Sequence, residues 1–110
     1  MEQEGVENIT SNTALKSKIG KNKYVAICYG KPGCNHCVMF KPKFAFFAQE
    51  NSNIKCGFVD YSKYKVDAPV SLEGLPTTFL YKSGKFVAQV KGNNYDKKGG
   101  LLDMVKTHFN

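Results

Sequence analysis

Apolar residues along this chain are grouped in runs that predict strands and helices in turn. The run Tyr24–Tyr29 is continuously apolar, which is typical of a strand buried on both faces of a sheet. A second run, Ile54–Tyr61, predicts another strand, in which Phe58 and Val59 are expected to be buried. Between them, Cys34–Gln49 carries phenylalanines at spacings of three and four residues, which predicts an amphipathic helix. The strand–helix–strand order favours a right-handed unit with parallel strands.

Shorter elements are predicted on either side of this unit. Residues 1–9 are largely polar and are expected to be loose or to form an edge strand. Ser11 or its neighbour Thr10 can cap a first helix, which is expected to end at Gly20. Residues 62–68 are expected to form one or two helical turns. The N-terminal half of the sequence is therefore predicted to form helices both before and after the strand Tyr24–Tyr29.

The C-terminal part predicts a hairpin and a last helix. The β-prone runs 77–82 and 85–91 flank Ser83 and Gly84, a dipeptide suited to a two-residue turn. Asp96 can cap a final helix that has a regular apolar face. The element order predicts an α/β fold with a central mixed sheet of four to five strands and about four helices.

Length and charge narrow the possible classes of function. A chain of 110 residues is expected to form one domain, 1–110. It has no apolar run near the ~18 residues needed to cross a membrane, and no basic and apolar leader. We therefore expect no membrane association and a cytoplasmic monomer. The net charge of +7 comes from 16 lysines without arginine, scattered along the chain. Because nucleic-acid recognition favours arginine, we expect a solvated basic surface and no nucleic-acid binding.

Two cysteines lie where the first buried strand gives way to the following helix. Cys34 and Cys37 are separated by Asn35 and His36. The first N–H groups of a helix have no intrahelical partner and stabilise an anion placed there, which a thiolate is. Cys34 is therefore expected to be a nucleophile. Because structural disulfides are rare in the cytoplasm, four cysteines favour redox or metal chemistry.

These features together resemble the thioredoxin family. The resemblance runs from about Tyr24 to Phe109, and it rests on Cys34-Asn35-His36-Cys37, Pro42 in the helix, Pro76 before a strand, and Gly84 and Gly92 around the last strand. It implies a thioredoxin-like fold, no bound cofactor, and a redox-active disulfide between Cys34 and Cys37. It also implies protein disulfides as substrates, with recycling by a thioredoxin-reductase-like enzyme or by glutathione.

The resemblance also implies a role for each residue of the site. Cys34 would attack a substrate disulfide, and Cys37 would resolve the mixed disulfide that forms. The Leu75–Pro76 peptide bond would be cis, so that backbone groups of Leu75 can pair with an extended substrate chain. The residues expected to hold that chain are Pro32, Gly33, Leu75 and Pro76.

The chain departs from typical thioredoxins within the motif itself. Gly33 replaces the usual tryptophan, and Asn35 and His36 replace Gly-Pro. A histidine before the second cysteine is similar to protein disulfide isomerases. Its imidazole would stabilise the Cys34 thiolate and hence the dithiol. We therefore expect a reduction potential between the values of about −270 mV for thioredoxin and about −180 mV for the isomerase.

Two further cysteines stand where family members carry a buried aspartate and a lysine. Cys28 lies six residues before Cys34, and Cys56 lies four residues before Asp60. Both are expected to be near neighbours beneath the site. They can be inert buried thiols, or they can form a second dithiol if they face each other on paired strands.

Two alternative functions remain open from the sequence. A glutaredoxin-like protein would use the same cysteine pair with glutathione as reductant. A zinc or iron–sulfur module would need four ligands, which only Cys28, Cys34, Cys37 and Cys56 together could supply. Because Cys28 lies within a continuous apolar strand, it is a poor ligand, and no metal is expected.

Overall fold

The structure, a computed structural model, describes residues 5–109 and forms a five-stranded sheet with three helices in that range. The strands are β1 Val6–Asn8, β2 Tyr24–Gly30, β3 Lys55–Asp60, β4 Thr77–Lys82 and β5 Lys85–Lys91. The helices are α1 Asn12–Lys21, α2 Asn35–Glu50 and α3 Leu101–His108. None of these three helices combines the length and apolar character that crossing a membrane requires.

The sheet is mixed, as predicted, with strand order β1-β3-β2-β4-β5. Strand β3 runs parallel to both β1 and β2, so the strand–helix–strand unit has the expected parallel pair. Strand β4 is antiparallel to β2 and forms the predicted hairpin with β5. Of the two expectations for the N-terminus, the edge strand is confirmed for Val6–Asn8, while residues 1–4 lie outside the described part.

Strand β2 is buried on both faces, which explains its unbroken apolar sequence. Val25, Ile27 and Tyr29 belong to a core cluster shared with α1, whereas Ala26 and Cys28 belong to a second cluster shared with α2 and α3. All five side chains are at most 2% exposed. Because successive side chains of a strand point to opposite faces, helices cover both sides of β2.

The first helix begins as predicted but ends later. The Ser11 hydroxyl accepts a hydrogen bond from the Ala14 N–H at 3.1 Å, which makes Ser11 the N-cap. The expected end at Gly20 is wrong, because the helix continues to Lys21. The Asn22 side chain donates to the Lys18 carbonyl at 2.9 Å. This bond satisfies a carbonyl of the last turn, so a left-handed glycine is not needed to end the helix.

The helical turns predicted for residues 62–68 do not form a helix. The Asp60 carbonyl accepts a hydrogen bond from the Lys63 N–H at 3.0 Å, but the chain then leaves the helical path. A contact with a distant strand determines the path of the chain instead, because the Tyr29 hydroxyl donates a hydrogen bond to the Asp67 carbonyl at 2.7 Å. Residues 5–109 therefore contain three helices, not about four.

The last helix starts five residues after its predicted cap. Asp96 does not cap it; Gly100 occupies the N-cap position, and the helix begins at Leu101. The carboxylate of Asp103, in the first turn, accepts a hydrogen bond from the Gly99 N–H at 2.8 Å. Two consecutive glycines, Gly99 and Gly100, disfavour a helix, so the helix begins only after them. The Asp103 carboxylate, three residues after Gly100, accepts the hydrogen bond of a backbone N–H that has no acceptor within the helix.

Candidate active site

The turn after β2 places the Cys34 sulfur at the N-terminus of α2. Cys34 is the N-cap residue, with φ −91° and ψ 111°, so the helix begins one residue later than predicted. Its Sγ accepts a hydrogen bond from the Cys37 N–H at 3.3 Å, and its carbonyl accepts one from the Val38 N–H at 3.0 Å. The sulfur thus faces the positive end of the helix dipole, where negative charge is stabilised.

Cys34 and Cys37 form a disulfide in this structure, with Cα atoms 5.2 Å apart. The two sulfurs differ in access, because Cys34 is half-buried whereas Cys37 is only 6% exposed. A sulfur atom arriving from solvent therefore reaches Cys34 first. The pair therefore contains one sulfur that solvent can reach, that of Cys34, and one that is buried, that of Cys37.

The segment before β4 lies against Cys34. The Leu75–Pro76 peptide bond is cis, the isomer that the resemblance implied. The Leu75 carbonyl oxygen lies 3.7 Å from Cys34 Sγ, where a reduced thiol can donate a weak hydrogen bond. The Leu75 N–H has no hydrogen-bond partner within the described residues. Both residues line a groove of about 330 Å³ that runs to Gln89 and Gly92 on the hairpin side.

The other predicted site residues lie around this pair but contact it less directly. Pro32 lines a cavity together with Cys37, and Gly33 is exposed. Gly33 has φ +81°, a left-handed conformation that tryptophan would adopt only with strain, which accounts for the departure at this position. His36 is exposed and makes no hydrogen bond or ion pair with residues 5–109, so its influence on Cys34 stays a prediction.

The two remaining cysteines are free and buried on the α2 side of the sheet. In the β2–β3 register Cys56 pairs with Ala26 and Cys28 with Phe58, so the thiols are offset by two residues. The two thiols belong to one core cluster but do not face each other directly, so the register does not favour the second disulfide that was one of the two open possibilities. Burial raises the pKa of each thiol to about 12, despite opposing effects of nearby lysines and, for Cys28, of the Thr78 hydroxyl.

We expect these two thiols to be silent in the folded protein. With pKa values near 12 in place of 9, fewer than about one in a hundred is ionised even at pH 9, and burial blocks access. Thiol counting on the oxidised protein should find no reactive group when it is native and two when it is unfolded in denaturant. Raising the pH above 9 favours the unfolded state, whose thiols ionise first, so native stability should fall there. Rapid labelling of native protein at pH 8 would contradict this assignment.

A cavity of about 150 Å³ beside Cys37 is lined by residues that sequence reasoning did not assign to the site. Lys41 and Asp60 line it, beside the ring of Phe58. Phe58 was predicted to be buried but is only partly so, because its ring forms the cavity wall. Gly30 provides the close approach, since a Cβ there would lie 3.0 Å from the Phe58 ring and 3.3 Å from Cys37 Sγ. The spacing of four residues between Cys37 and Lys41 was the available signal.

Within residues 5–109, no group of three or more histidine, cysteine, aspartate or glutamate side chains is arranged to hold a metal ion. Cys34 and Cys37 are joined to each other, and the other two cysteines are separate buried thiols. Nothing in the described site favours the zinc or iron–sulfur alternative.

Comparison with known proteins decides the family. The Thioredoxin family model matches residues 6–107. The chain belongs to the thioredoxin family. Thioredoxin-1 of Schizosaccharomyces pombe is 26% identical over 90 residues, covering 81% of this chain and 87% of the relative. An uncharacterized protein of the same yeast is 30% identical over 102 residues, covering 87% of this chain but only 14% of that longer protein.

Solved structures agree on the fold. The structure of Fasciola hepatica thioredoxin superposes with a TM-score of 0.83 at 22% identity, covering 94% of this chain and 99% of the other. Family membership and a disulfide-forming cysteine pair together make this domain a thiol–disulfide oxidoreductase with a redox-active disulfide.

Proposed function

We propose that this thioredoxin reduces disulfides of other proteins through Cys34-Asn35-His36-Cys37. One observation carries the proposal: a half-exposed sulfur at a helix N-terminus is joined to a buried sulfur three residues later. The accessible sulfur can attack a foreign disulfide, and the buried one can complete the exchange only from within. A two-step reductase requires both an accessible sulfur for the first attack and an internal sulfur for the resolving step.

In the proposed mechanism the Cys34 thiolate attacks one sulfur of the substrate disulfide. A bond forms between Cys34 and that sulfur, the substrate S–S bond breaks, and the other substrate sulfur leaves as a thiolate that takes a proton from water. Cys37 then loses its proton and attacks Cys34 Sγ. The Cys34–Cys37 bond forms, the second substrate sulfur leaves, and the substrate has gained two electrons.

The segment at Leu75 and Pro76 is proposed to hold the substrate chain beside Cys34. The unpartnered N–H of Leu75 can donate to a substrate carbonyl, as in strand addition to a sheet edge. The groove lined by this segment gives the chain room beside Leu75, whose carbonyl oxygen lies 3.7 Å from Cys34 Sγ. A thioredoxin-reductase-like enzyme or glutathione is proposed to restore the dithiol.

Replacing Cys37 by serine should convert transient complexes into stable ones. The Cys37→Ser variant keeps the attacking sulfur but cannot resolve the mixed disulfide, so partner proteins should stay attached through Cys34. Non-reducing electrophoresis followed by mass spectrometry should show adducts that disappear on adding dithiothreitol.

The matched control is the double variant Cys34→Ser/Cys37→Ser, which should capture nothing. Equal capture by the double variant would place the reactive sulfur elsewhere and overturn the proposed mechanism. Cys28 and Cys56 remain in both proteins, so they cannot account for a difference between them.

A further inference from the structure

The resolving step places a demand on Cys37 that its surroundings do not obviously meet. Its side chain is only 6% exposed, and burial in low dielectric disfavours a thiolate. Burial acts in this direction on the two free cysteines of the chain, where it raises the pKa of Cys28 and of Cys56 to about 12. Cys37 must nevertheless become a thiolate before it can attack, and this requires a nearby charge and a route for its proton.

A cavity of about 150 Å³ reaches Cys37 and shares no lining residue with the groove at Leu75 and Pro76. This volume holds several water molecules, so a proton leaving Cys37 can enter water inside the cavity. Lys41 and Asp60 lie on its walls, one cationic and one anionic. Both also line an adjoining cavity of about 210 Å³ next to Lys63 and Tyr64, which extends the polar region along the surface.

Lys41 is held close to the sulfur pair by its own helix. It lies four residues after Cys37, on the same face of α2. Its Nζ lies 4.6 Å from the centre of the Phe58 ring, a cation–π contact that favours this position. It forms no ion pair within the described residues, so its charge is not neutralised locally. The positive charge of Lys41 also acts on Cys28, whose pKa it lowers. Burial has the larger effect on that thiol and raises its pKa.

One carboxylate oxygen of Asp60 accepts hydrogen bonds from Ser62, and the other is available to accept a proton. At the end of β3, its Oδ1 accepts hydrogen bonds from the Ser62 N–H at 3.1 Å and from the Ser62 hydroxyl at 2.6 Å. Its Oδ2 has no hydrogen-bond partner within the described residues. A carboxylate oriented in this way can accept a proton relayed by cavity water while its side chain stays fixed.

We propose that Lys41 and Asp60 ionise Cys37 across this cavity: Lys41 supplies the stabilising charge, and Asp60 accepts the proton through water. The inference rests on the proposed roles of Cys34 and Cys37 and adds the groups that act on the second step. The proton moves from Cys37 Sγ through water to the Asp60 carboxylate. The thiolate then forms the bond to Cys34 Sγ, and the substrate sulfur leaves as a thiolate that is protonated by solvent.

Other charged or titratable groups face Cys37 from each neighbouring element. Lys31 lines the same cavity from the turn after β2, Cys28 lies on β2, and His36 precedes Cys37 on α2. Lys31 and His36 are exposed, so solvent screens them, and Cys28 stays a neutral thiol. Lys41 is half-buried against Phe58 and is therefore the least screened cation.

A two-step thiol assay separates this inference from the proposed function. The fully reduced protein is mixed in a stopped-flow instrument with the aromatic disulfide dithiobis(nitrobenzoate). Attack by Cys34 releases one coloured thiolate, and resolution by Cys37 releases a second. The variants are Lys41→Met and Asp60→Asn. Lys43→Met removes the same charge from an exposed position on α2, and Asp96→Asn removes a carboxylate from an exposed loop position.

Lys41→Met should slow the second release by about 3- to 10-fold at pH 7 and shift its pH profile upward, with the first release unchanged. Losing a nearby cation raises a thiol pKa by roughly one to two units, and higher nucleophilicity recovers part of the lost rate. Asp60→Asn should also slow the second release. Removing a negative charge alone would favour the thiolate and speed this step, so a slower step identifies proton transfer.

The two control variants should match the wild type in both phases. An unchanged second phase in Lys41→Met, or a faster one in Asp60→Asn, would overturn the inference while leaving the first phase, and with it the proposed function, intact. Absence of the first phase in the wild type would instead overturn the proposed function itself.

Discussion

Replacing Cys34 by serine should abolish reduction of an insulin-type disulfide substrate, lowering kcat/KM by at least about a thousandfold. The hydroxyl keeps the shape of the side chain, but it is not ionised near neutral pH and cannot take over the thiolate's attack on sulfur. Cys37 cannot substitute, because it is 6% exposed and a protein disulfide cannot reach it. The measurement is the rate of insulin precipitation with dithiothreitol as the electron source.

Cys56→Ala serves as the control, since it removes a thiol that the proposed mechanism does not use. Cys56 is buried and free, so its loss should cost some stability but leave the reduction rate near that of the wild type. Circular dichroism establishes that both variants are folded. Substantial reduction by Cys34→Ser, beyond the rate with dithiothreitol alone, would show that the attacking sulfur has been misassigned.

Phe40→Ala should lower the free energy of unfolding by about 3–5 kcal/mol. Phe40 is completely buried on α2, one turn after Cys37, and its ring lies 5.9 Å from that of Phe44. Removing it leaves a cavity beneath the helix that carries the active sulfurs. Since domains of this size are stable by about 5–15 kcal/mol, the loss is a large part of the total. Urea unfolding monitored by circular dichroism measures it.

Phe46→Ala provides the comparison on the same helix. Phe46 is 56% exposed, so its truncation should change the free energy of unfolding by no more than about 0.5 kcal/mol. Similar losses for the two variants would mean that α2 does not pack on the sheet through the face described above.

Most of the fold could be read from the sequence because its strongest signals come from burial. The unbroken apolar run of β2 and the phenylalanine spacing of α2 follow from contact with the core, and both elements match their predictions closely. The cysteine pair was placed correctly for the same reason, since the boundary between these two elements lies at Cys34.

The remaining elements depend on contacts between distant residues, which a local pattern does not contain. Residues 62–68 have helix-compatible residues, but the hydrogen bond from Tyr29 to the Asp67 carbonyl fixes a different path. Asp96 looks like a cap, yet two glycines and Asp103 move the helix start to Leu101.

The charged pair near Cys37 was missed for a similar reason. Lys41 could have been placed on the face of Cys37 by its spacing along α2. Asp60 is separated from it by 19 positions of sequence and meets it only because β3 lies beside β2. Sequence reasoning therefore found the reacting sulfurs but not the cavity that surrounds one of them.

The bare glycine before Cys34 has a consequence for the range of proteins this one can serve. Gly33 is exposed and points into open space, so no ring shields the attacking sulfur on that flank. We therefore expect a disulfide on the surface of a folded protein to meet no steric hindrance from position 33 as it approaches Cys34. If Cys34 reduces protein disulfides as proposed, this open flank should widen the range of substrates that can dock without altering the exchange between the sulfurs.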